Sequence, residues 1–135
     1  MTWSVAKEYC EMQGGHLATI TSEGEERFIE QMLKNEYYYI KEGICWLGAT
    51  DEKKEGTWEW VTGEEFSYSN WWLYNPDNRD HGVYGSENWL VIRRQHWTGD
   101  GKITVKFTWE DFAEVVCEGY NDVIKCKTGF ICEWD

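Results

Sequence analysis

One short stretch of the chain combines oxygen-bearing side chains with a rigid turn. Asn75-Pro76-Asp77 places the only proline of the 135 residues between an amide and a carboxylate, directly after a Trp-rich region. Calcium is a hard cation that takes about six to eight oxygen ligands from carboxylates, amide carbonyls and water. The stretch therefore indicates a calcium site, although the same residue types also form ordinary turns.

The composition disfavours two classes of function. The formal net charge is -12, whereas nucleic-acid binding needs clustered Lys and Arg to contact phosphates. No apolar run approaches the ~20 residues that a membrane-spanning helix requires. Ten Trp, eight Tyr and five Phe suit strands and contact surfaces. At this length we expect one domain that buries its own core.

Two helices are predicted in the first third of the chain. Thr2 is a suitable N-cap for a helix that runs to about Gln13 and ends at Gly14-Gly15. We expect its apolar face to comprise Val5, Ala6, Tyr9, Cys10 and Met12. Ser22-Glu23-Gly24-Glu25 has the pattern of a capping box for the second helix. Apolar residues then repeat at helical spacing: Phe28, Ile29, Met32 and Leu33.

From Ile44 onward the pattern changes to short β-rich segments separated by Gly, Asn and Asp. A stretch of alternating residues with the turn Gly99-Asp100-Gly101 predicts a hairpin; its apolar members are Ile103, Val105, Phe107 and Trp109. Two helices followed by many short strands predict an α+β domain.

Several motifs, in this order and spacing, resemble those of the C-type lectin domain family. They are Trp3, Ala6 and Cys10 with Gly14 to Ile20; Glu26; Trp46-Leu47-Gly48; and Phe130-Ile131-Cys132-Glu133. The resemblance implies the C-type lectin-like fold, in which two helices flank small antiparallel sheets with a long loop region. It covers residues 1–135 as a single domain.

The chain departs from the family pattern at three places. The usual first strand does not appear ahead of the first helix, so that strand either was trimmed or is absent from this variant. Trp89 follows Glu87-Asn88 where the family has a cysteine. An insertion at about 93–118 replaces a short turn. The resemblance is to a bacterial or other non-vertebrate member of the family that carries an inserted hairpin.

The five cysteines cannot all pair within one chain. The resemblance implies a disulfide between Cys10 and Cys132 and hence a secreted or cell-surface protein. Cys126 matches one half of a second family disulfide, and a bridge to Cys117 is excluded if residues 120–125 form a strand. Cys45 is interpreted as a small buried hydrophobe. A metal site at Cys117, Cys126 and Cys132 lacks zinc-type spacing.

The resemblance also implies a set of calcium ligands, with Pro76 cis: Asn75, Asp77, Glu87, Asn121 and Asp122. Tyr120 stands where the family's Trp-Asn-Asp strand has Trp. In the family the ion binds two sugar hydroxyls directly, so a glycan is the expected partner. The residues expected to contact the ligand are Asn75, Asp77, Glu87, Asn121 and Tyr84.

The order of the pair around Pro76 predicts the type of sugar. An amide before the proline and a carboxylate after it is the family's galactose order, and the reverse is its mannose order. Asn75 and Asp77 have the galactose order, so galactose or N-acetylgalactosamine is expected. An aromatic ring against the sugar would come from Tyr84, Trp72 or Trp97, although for each of them individually core packing or a lone exposed ring is the favoured interpretation.

The sequence also bears on two other functions. A protein ligand is the alternative partner, with the inserted hairpin around Trp97 and Trp109 as its contact surface. Catalysis is not expected, because the histidines have no evident nucleophile nearby. The acidic pairs Glu64-Glu65 and Glu110-Asp111 could mimic the two carboxylates of a glycosidase. However, the two members of each pair point to opposite faces of a strand, and the pairs are interpreted as solvated surface.

Overall fold

The computed structural model describes residues 1–35, 44–80, 82, 85–114 and 128–135. The predictions for Tyr84, Cys117, Cys126, Asn121 and Asp122 therefore lie outside the described residues. The described elements are helices α1 (Trp3–Met12) and α2 (Glu23–Asn35) and strands β1 (His16–Leu17), β2 (Ile44–Thr50), β3 (Glu59–Trp60), β4 (Trp89–Gly99), β5 (Lys102–Phe112), β6 (Gly129–Phe130) and β7 (Cys132–Glu133). Among these residues no helix has the length and apolar character needed to cross a membrane.

The strands form an α+β fold with two sheets. A larger sheet has the order β3-β2-β4-β5, with β6 parallel to β2, and a smaller sheet pairs β1 with β7. Strands β4 and β5 pair antiparallel from Trp89↔Phe112 to Gly99↔Lys102. The predicted hairpin and its turn are thus confirmed. Among the described residues, strand β5 lies at an edge of the larger sheet. Its outer side can therefore contact the loop of residues 70–78.

Helix α1 begins where the sequence predicts. The Thr2 hydroxyl accepts from the N–H of Val5 at 3.3 Å. The buried face, however, consists of Trp3, Ala6 and Cys10. The predicted apolar face is wrong for three residues, since Val5, Tyr9 and Met12 are 50%, 47% and 76% exposed. Residues at spacings of three and four share one face of a helix, and the set that includes the disulfide cysteine faces the sheets.

The N-terminus of helix α2 differs from a capping box by one residue, because the N–H that donates to the Glu25 carboxylate belongs to Thr21 and not to Ser22. The Ser22 hydroxyl accepts from the N–H of Glu25 at 3.3 Å, but the Glu25 carboxylate accepts from the N–H of Thr21 at 2.6 Å. Ile29 and Leu33 are buried as predicted. Phe28 is 70% exposed, which corrects its predicted place on the apolar face, and Glu26 is buried instead at 3% exposure.

The core lies on both sides of strand β2. On one side α2 packs over the larger sheet through Ile29, Leu33, Leu47, Leu90, Ile92 and Trp109. On the other side α1 contributes Trp3, Ala6 and Cys10 against Trp46 and Val91. Gly48 is required between these layers, because a Cβ atom there would lie 2.5 Å from the Leu17 carbonyl oxygen.

The cysteines of the described chain behave as predicted. Cys10 and Cys132 form a disulfide with their Cα atoms 5.5 Å apart, and it joins α1 to β7 across 122 residues. Cys45 is a free, buried cysteine with 1% exposure. Burial raises the pKa of the Cys45 thiol to about 12, because the thiolate loses its hydration.

We predict that replacing Cys10 and Cys132 with Ala lowers the free energy of unfolding by about 4–5 kcal/mol, because the bridge removes loop entropy from the unfolded chain. Denaturant titration of the variant against the oxidised wild type measures this. In unreduced peptide mapping Cys10 must appear linked to Cys132. Alkylation of the native protein at about pH 8 should leave Cys45 unmodified, since almost none of it is thiolate. A free Cys10 would contradict the assigned topology.

Candidate functional site

A loop formed by residues 70–78 lies along the outer edge of β5. The N–H of Trp109 donates to the Asn70 carbonyl, and the N–H of Trp72 donates to the Trp109 carbonyl, each at 2.8 Å. The loop therefore satisfies edge groups of β5 that would otherwise need water. This pairing brings Asn75-Pro76-Asp77 to the carboxyl end of β5, and the Asn75–Pro76 bond is cis as predicted.

The far end of the loop is held by two carboxylates. Asp111, near the end of β5, accepts from the N–H groups of Asp77 at 3.0 Å and Asn78 at 2.6 Å. Glu87, just before β4, accepts from the N–H of Arg79 at 3.1 Å. Hydrogen bonds to charged acceptors are stronger than neutral ones, so these contacts fix the position of the loop relative to the hairpin.

Three carboxylates converge at this point. Asp77, Glu87 and Asp111 each offer an oxygen, and these oxygens all lie within 4.8 Å of one another. Asp111 is 2% exposed and Glu87 is 8% exposed. Burial raises the pKa of Asp111, backbone N–H groups partly offset this effect, and the charge of Asp77 adds to it. Like charges this close in a partly buried place destabilise one another unless a cation neutralises them.

The acidic region extends toward residues 51–55. One carboxylate oxygen of Asp51 and the amide oxygen of Asn78 are buried without a hydrogen-bond partner among the described residues. The pKa of Glu55 is raised by partial desolvation and by the charges of Asp51 and Asp111. Buried oxygens without donors cost free energy, and a hard cation is a group that would satisfy them.

The structure brings together some of the residues predicted as ligands and places beside them a carboxylate that the sequence interpretation missed. Asp77 and Glu87 are in the cluster and Asn75 lines the same cleft. Asp111 was not predicted. The signal that could have identified Asp111 is the tripeptide Trp109-Glu110-Asp111. It contains the Trp of the family's Trp-Asn-Asp strand, whereas the predicted motif has Tyr120 in that place.

The interpretation of Glu110-Asp111 as solvated surface is wrong, since the two residues are 8% and 2% exposed. Both line the same cleft, but their hydrogen-bond partners differ. Glu110 accepts from the Arg93 guanidinium at 3.0 Å and from the Gln95 amide, whereas Asp111 faces loop 70–78.

Beneath the site, Glu26 connects helix α2 to both the loop and the hairpin. Its carboxylate accepts from the Trp109 indole N–H at 2.9 Å and from the Asn70 amide at 3.0 Å. Burial raises the pKa of Glu26, and these two hydrogen bonds partly offset that effect. Trp109 is fully buried, so it cannot belong to an exposed contact surface on the hairpin, which corrects that part of the protein-ligand alternative.

A cleft of about 330 Å³ opens beside the carboxylates. Its walls come from the loop, from Glu87 and from the hairpin, and the lining residues used below are Leu73, Tyr74, Asn75, Arg93, Glu110 and Phe112. This volume is at the lower end of the range of about 300–1,000 Å³ for small-molecule sites.

Comparison with known proteins gives consistent matches. The family model described as the Lectin C-type domain matches residues 1–128. Salivary C-type lectin 2 of Aedes albopictus is 33% identical, over 98% of this chain and 76% of that protein. Human asialoglycoprotein receptor 2 is 32% identical, over 86% of this chain but only 33% of the receptor. The carbohydrate-recognition domain of the human scavenger receptor C-type lectin superposes with a TM-score of 0.63 at 26% identity, covering 84% of this chain and 74% of that one.

We predict that Glu26→Ala destabilises the fold by about 2–4 kcal/mol, because the buried Trp109 indole N–H and the half-buried Asn70 amide lose their acceptor. The matched control is Glu23→Ala on the same helix, whose exposed ion pair with Arg27 contributes little. Because the pKa of Glu26 is raised, its ionisation opposes folding, so the protonation-linked part of the stability is lost as pH rises through that pKa, while the two hydrogen bonds remain. Urea titrations of both variants across pH should show this dependence in the control and not in Glu26→Ala. Equal stabilities for the two variants would contradict the assigned role.

Proposed function

The chain belongs to the C-type lectin domain family, and on that premise we propose that it binds carbohydrate through calcium, with a preference for galactose or N-acetylgalactosamine. The observation that carries the proposal is the convergence of Asp77, Glu87 and Asp111 beside the Asn75–Pro76 turn. The likeness to a solved carbohydrate-recognition domain supports a sugar as the ligand.

The donor set fits calcium better than a softer metal. The cluster offers carboxylate oxygens only, whereas zinc sites are usually built from Cys and His. Asn75 adds an amide whose nitrogen donates to the Leu73 carbonyl at 3.2 Å, which leaves its oxygen as the acceptor. We assign Asn75, Asp77, Glu87 and Asp111 to the ion. A contribution from Asn121 and Asp122 stays a prediction, because both lie outside the described residues.

When bound, calcium supplies a positive charge that neutralises the carboxylates and coordinates sugar hydroxyls. The side chains around it then select the sugar, since an amide can donate to a hydroxyl while a carboxylate can only accept. Asn75 before the proline and Asp77 after it give the galactose order. One contact of this kind is weak, near-millimolar or about -4 kcal/mol, so useful avidity needs several copies or clustered glycans.

A secreted or cell-surface location is part of the proposal. It is supported by the disulfide of this chain, which persists in oxidising compartments. It is also supported by a relative described as a salivary lectin. The receptors that match are much longer than this chain, which spans about a third of asialoglycoprotein receptor 2.

We predict that Asp111→Asn weakens calcium binding by more than tenfold, or about 1.4 kcal/mol, because the ion loses a buried carboxylate. Wild type should gain thermal stability with calcium and lose that gain with a chelator. Isothermal titration measures the affinity, and melting with and without calcium measures the gain.

Asp100→Asn in the hairpin turn is the matched control for the Asp111 variant, because it makes the same charge change away from the cluster and Asn tolerates the positive φ of that position. Asp122→Asn is titrated in parallel, and weaker binding there would show that the predicted Asn121-Asp122 pair also reaches the ion. Unchanged calcium affinity in Asp111→Asn would remove Asp111 from the site.

We also predict that galactose competes better than mannose for the calcium-loaded protein. Exchanging the pair, Asn75→Glu with Asp77→Asn, should move the preference toward mannose by reversing the hydrogen-bond polarity at the two hydroxyls. Competition against immobilised sugars, with and without calcium, decides between them. A wild-type preference for mannose would refute the specificity but not sugar binding, whereas no sugar binding with calcium bound would refute the proposed function.

A further inference from the structure

Tyr74, immediately before the calcium-site turn, is a bulky residue at a backbone conformation that favours Gly or Asn. Its backbone φ is 65°, a region that bulky L-residues rarely adopt and that costs about 1–2 kcal/mol. Its side chain is 92% exposed and that of the adjacent Leu73 is 64% exposed. The backbone of Tyr74 is therefore strained, although its aromatic ring lies in water and gains no free energy from burial.

The turn around Tyr74 is closed on itself and attached to the sheet. The N–H of Asn75 donates to the Trp72 carbonyl at 2.9 Å, and the N–H of Trp72 donates to the Trp109 carbonyl. Tyr74 occupies the third position of this turn, where a positive φ normally selects Gly or Asn. Because its backbone is already fixed and a tyrosine side chain has few rotatable bonds, the ring can bind a ligand at low cost in conformational entropy.

Leu73 and Tyr74 line the same cleft as the calcium ligands. The cleft joins their apolar surfaces and Phe112 to Asp77 and Asp111 in one continuous depression. Single exposed hydrophobic residues need no explanation, but two adjacent ones on the wall of a ligand cleft form a contact surface.

We propose that Leu73 and Tyr74 form a second subsite, which binds the apolar face of the neutral pyranose linked to the calcium-bound sugar. This inference rests on the proposed function and names a longer ligand for the same site. A pyranose presents C–H groups on one face, which pack against an aromatic ring as other apolar surfaces do.

The charges in the cleft favour a neutral ligand over an acidic one. Arg93 is paired with Glu110 at 3.0 Å and Arg79 with Asp77 at 2.8 Å. Both guanidinium groups near the subsite are thus already matched by carboxylates, so a carboxylated or sulfated sugar would have to break an ion pair to bind them.

The test compares a methyl monosaccharide with a panel of neutral disaccharides that end in the same sugar, using whichever monosaccharide the calcium-loaded protein binds best. At least one disaccharide should bind wild type more tightly, by roughly twofold to tenfold, the range expected for one ring contact. Tyr74→Asn removes the ring and tolerates the positive φ, and we expect it to lose that gain while its calcium and monosaccharide affinities stay unchanged. Tyr74→Phe should keep the gain. Phe28→Asn, at a 70% exposed residue of α2, is the control for a lost exposed ring.

Two results would overturn the second subsite while leaving the proposed function in place. One is equal affinity of wild type for the monosaccharide and every disaccharide. The other is a disaccharide gain that Tyr74→Asn retains in full. Failure of calcium-loaded wild type to bind any monosaccharide or disaccharide would instead refute the proposed function, and the second subsite with it.

Discussion

The attachment of loop 70–78 to the edge of β5 is the constraint on which the site depends. The main chain of Trp109 fixes one end of the loop, and the side chain of Asp111 fixes the other. Since both residues belong to one strand, the loop can occupy only one register along it. Glu26 holds the same strand from below through the Trp109 indole, so the core fixes the strand that carries Asp111, and Asp111 in turn positions the loop that carries Asp77.

The groups that hold the loop are also the groups that repel one another. Asp111 is stabilised by two backbone N–H donors, yet burial and the nearby charge of Asp77 raise its pKa. The same carboxylate therefore orders the loop and concentrates negative charge beside it. A bound cation would keep the first effect and remove the cost of the second, which physically couples ion binding, loop order and the shape of the cleft.

Periodicity alone was a poor guide to burial in the helices. In α1 the apolar residues Val5, Tyr9 and Met12 proved exposed, while Trp3, Ala6 and Cys10 form the buried face. Aliphatic and aromatic residues occur on both sides of this helix, so hydrophobicity did not specify which side meets the sheets. In α2 the charged Glu26 is buried because two donors from distant segments meet it there, and no local pattern signals such donors.

The sequence by itself determined the family, the two helices and the strand-rich region after them, the Cys10–Cys132 bridge, the β4–β5 hairpin and the cis turn at Pro76, because each follows from a local motif or from motifs in a specific order; the short strand β1 between the helices was not predicted. Only the tertiary structure decided three other features. Asp111 lies beside Asp77 and Glu87, the buried Trp109 donates a hydrogen bond to Glu26, and Tyr74 is exposed at the cleft. Acidic neighbours such as Glu110-Asp111 look the same in sequence whether they are solvated or buried. What separates the two cases is the supply of N–H donors and counter-charges by residues far away in the chain, and folding alone brings those together.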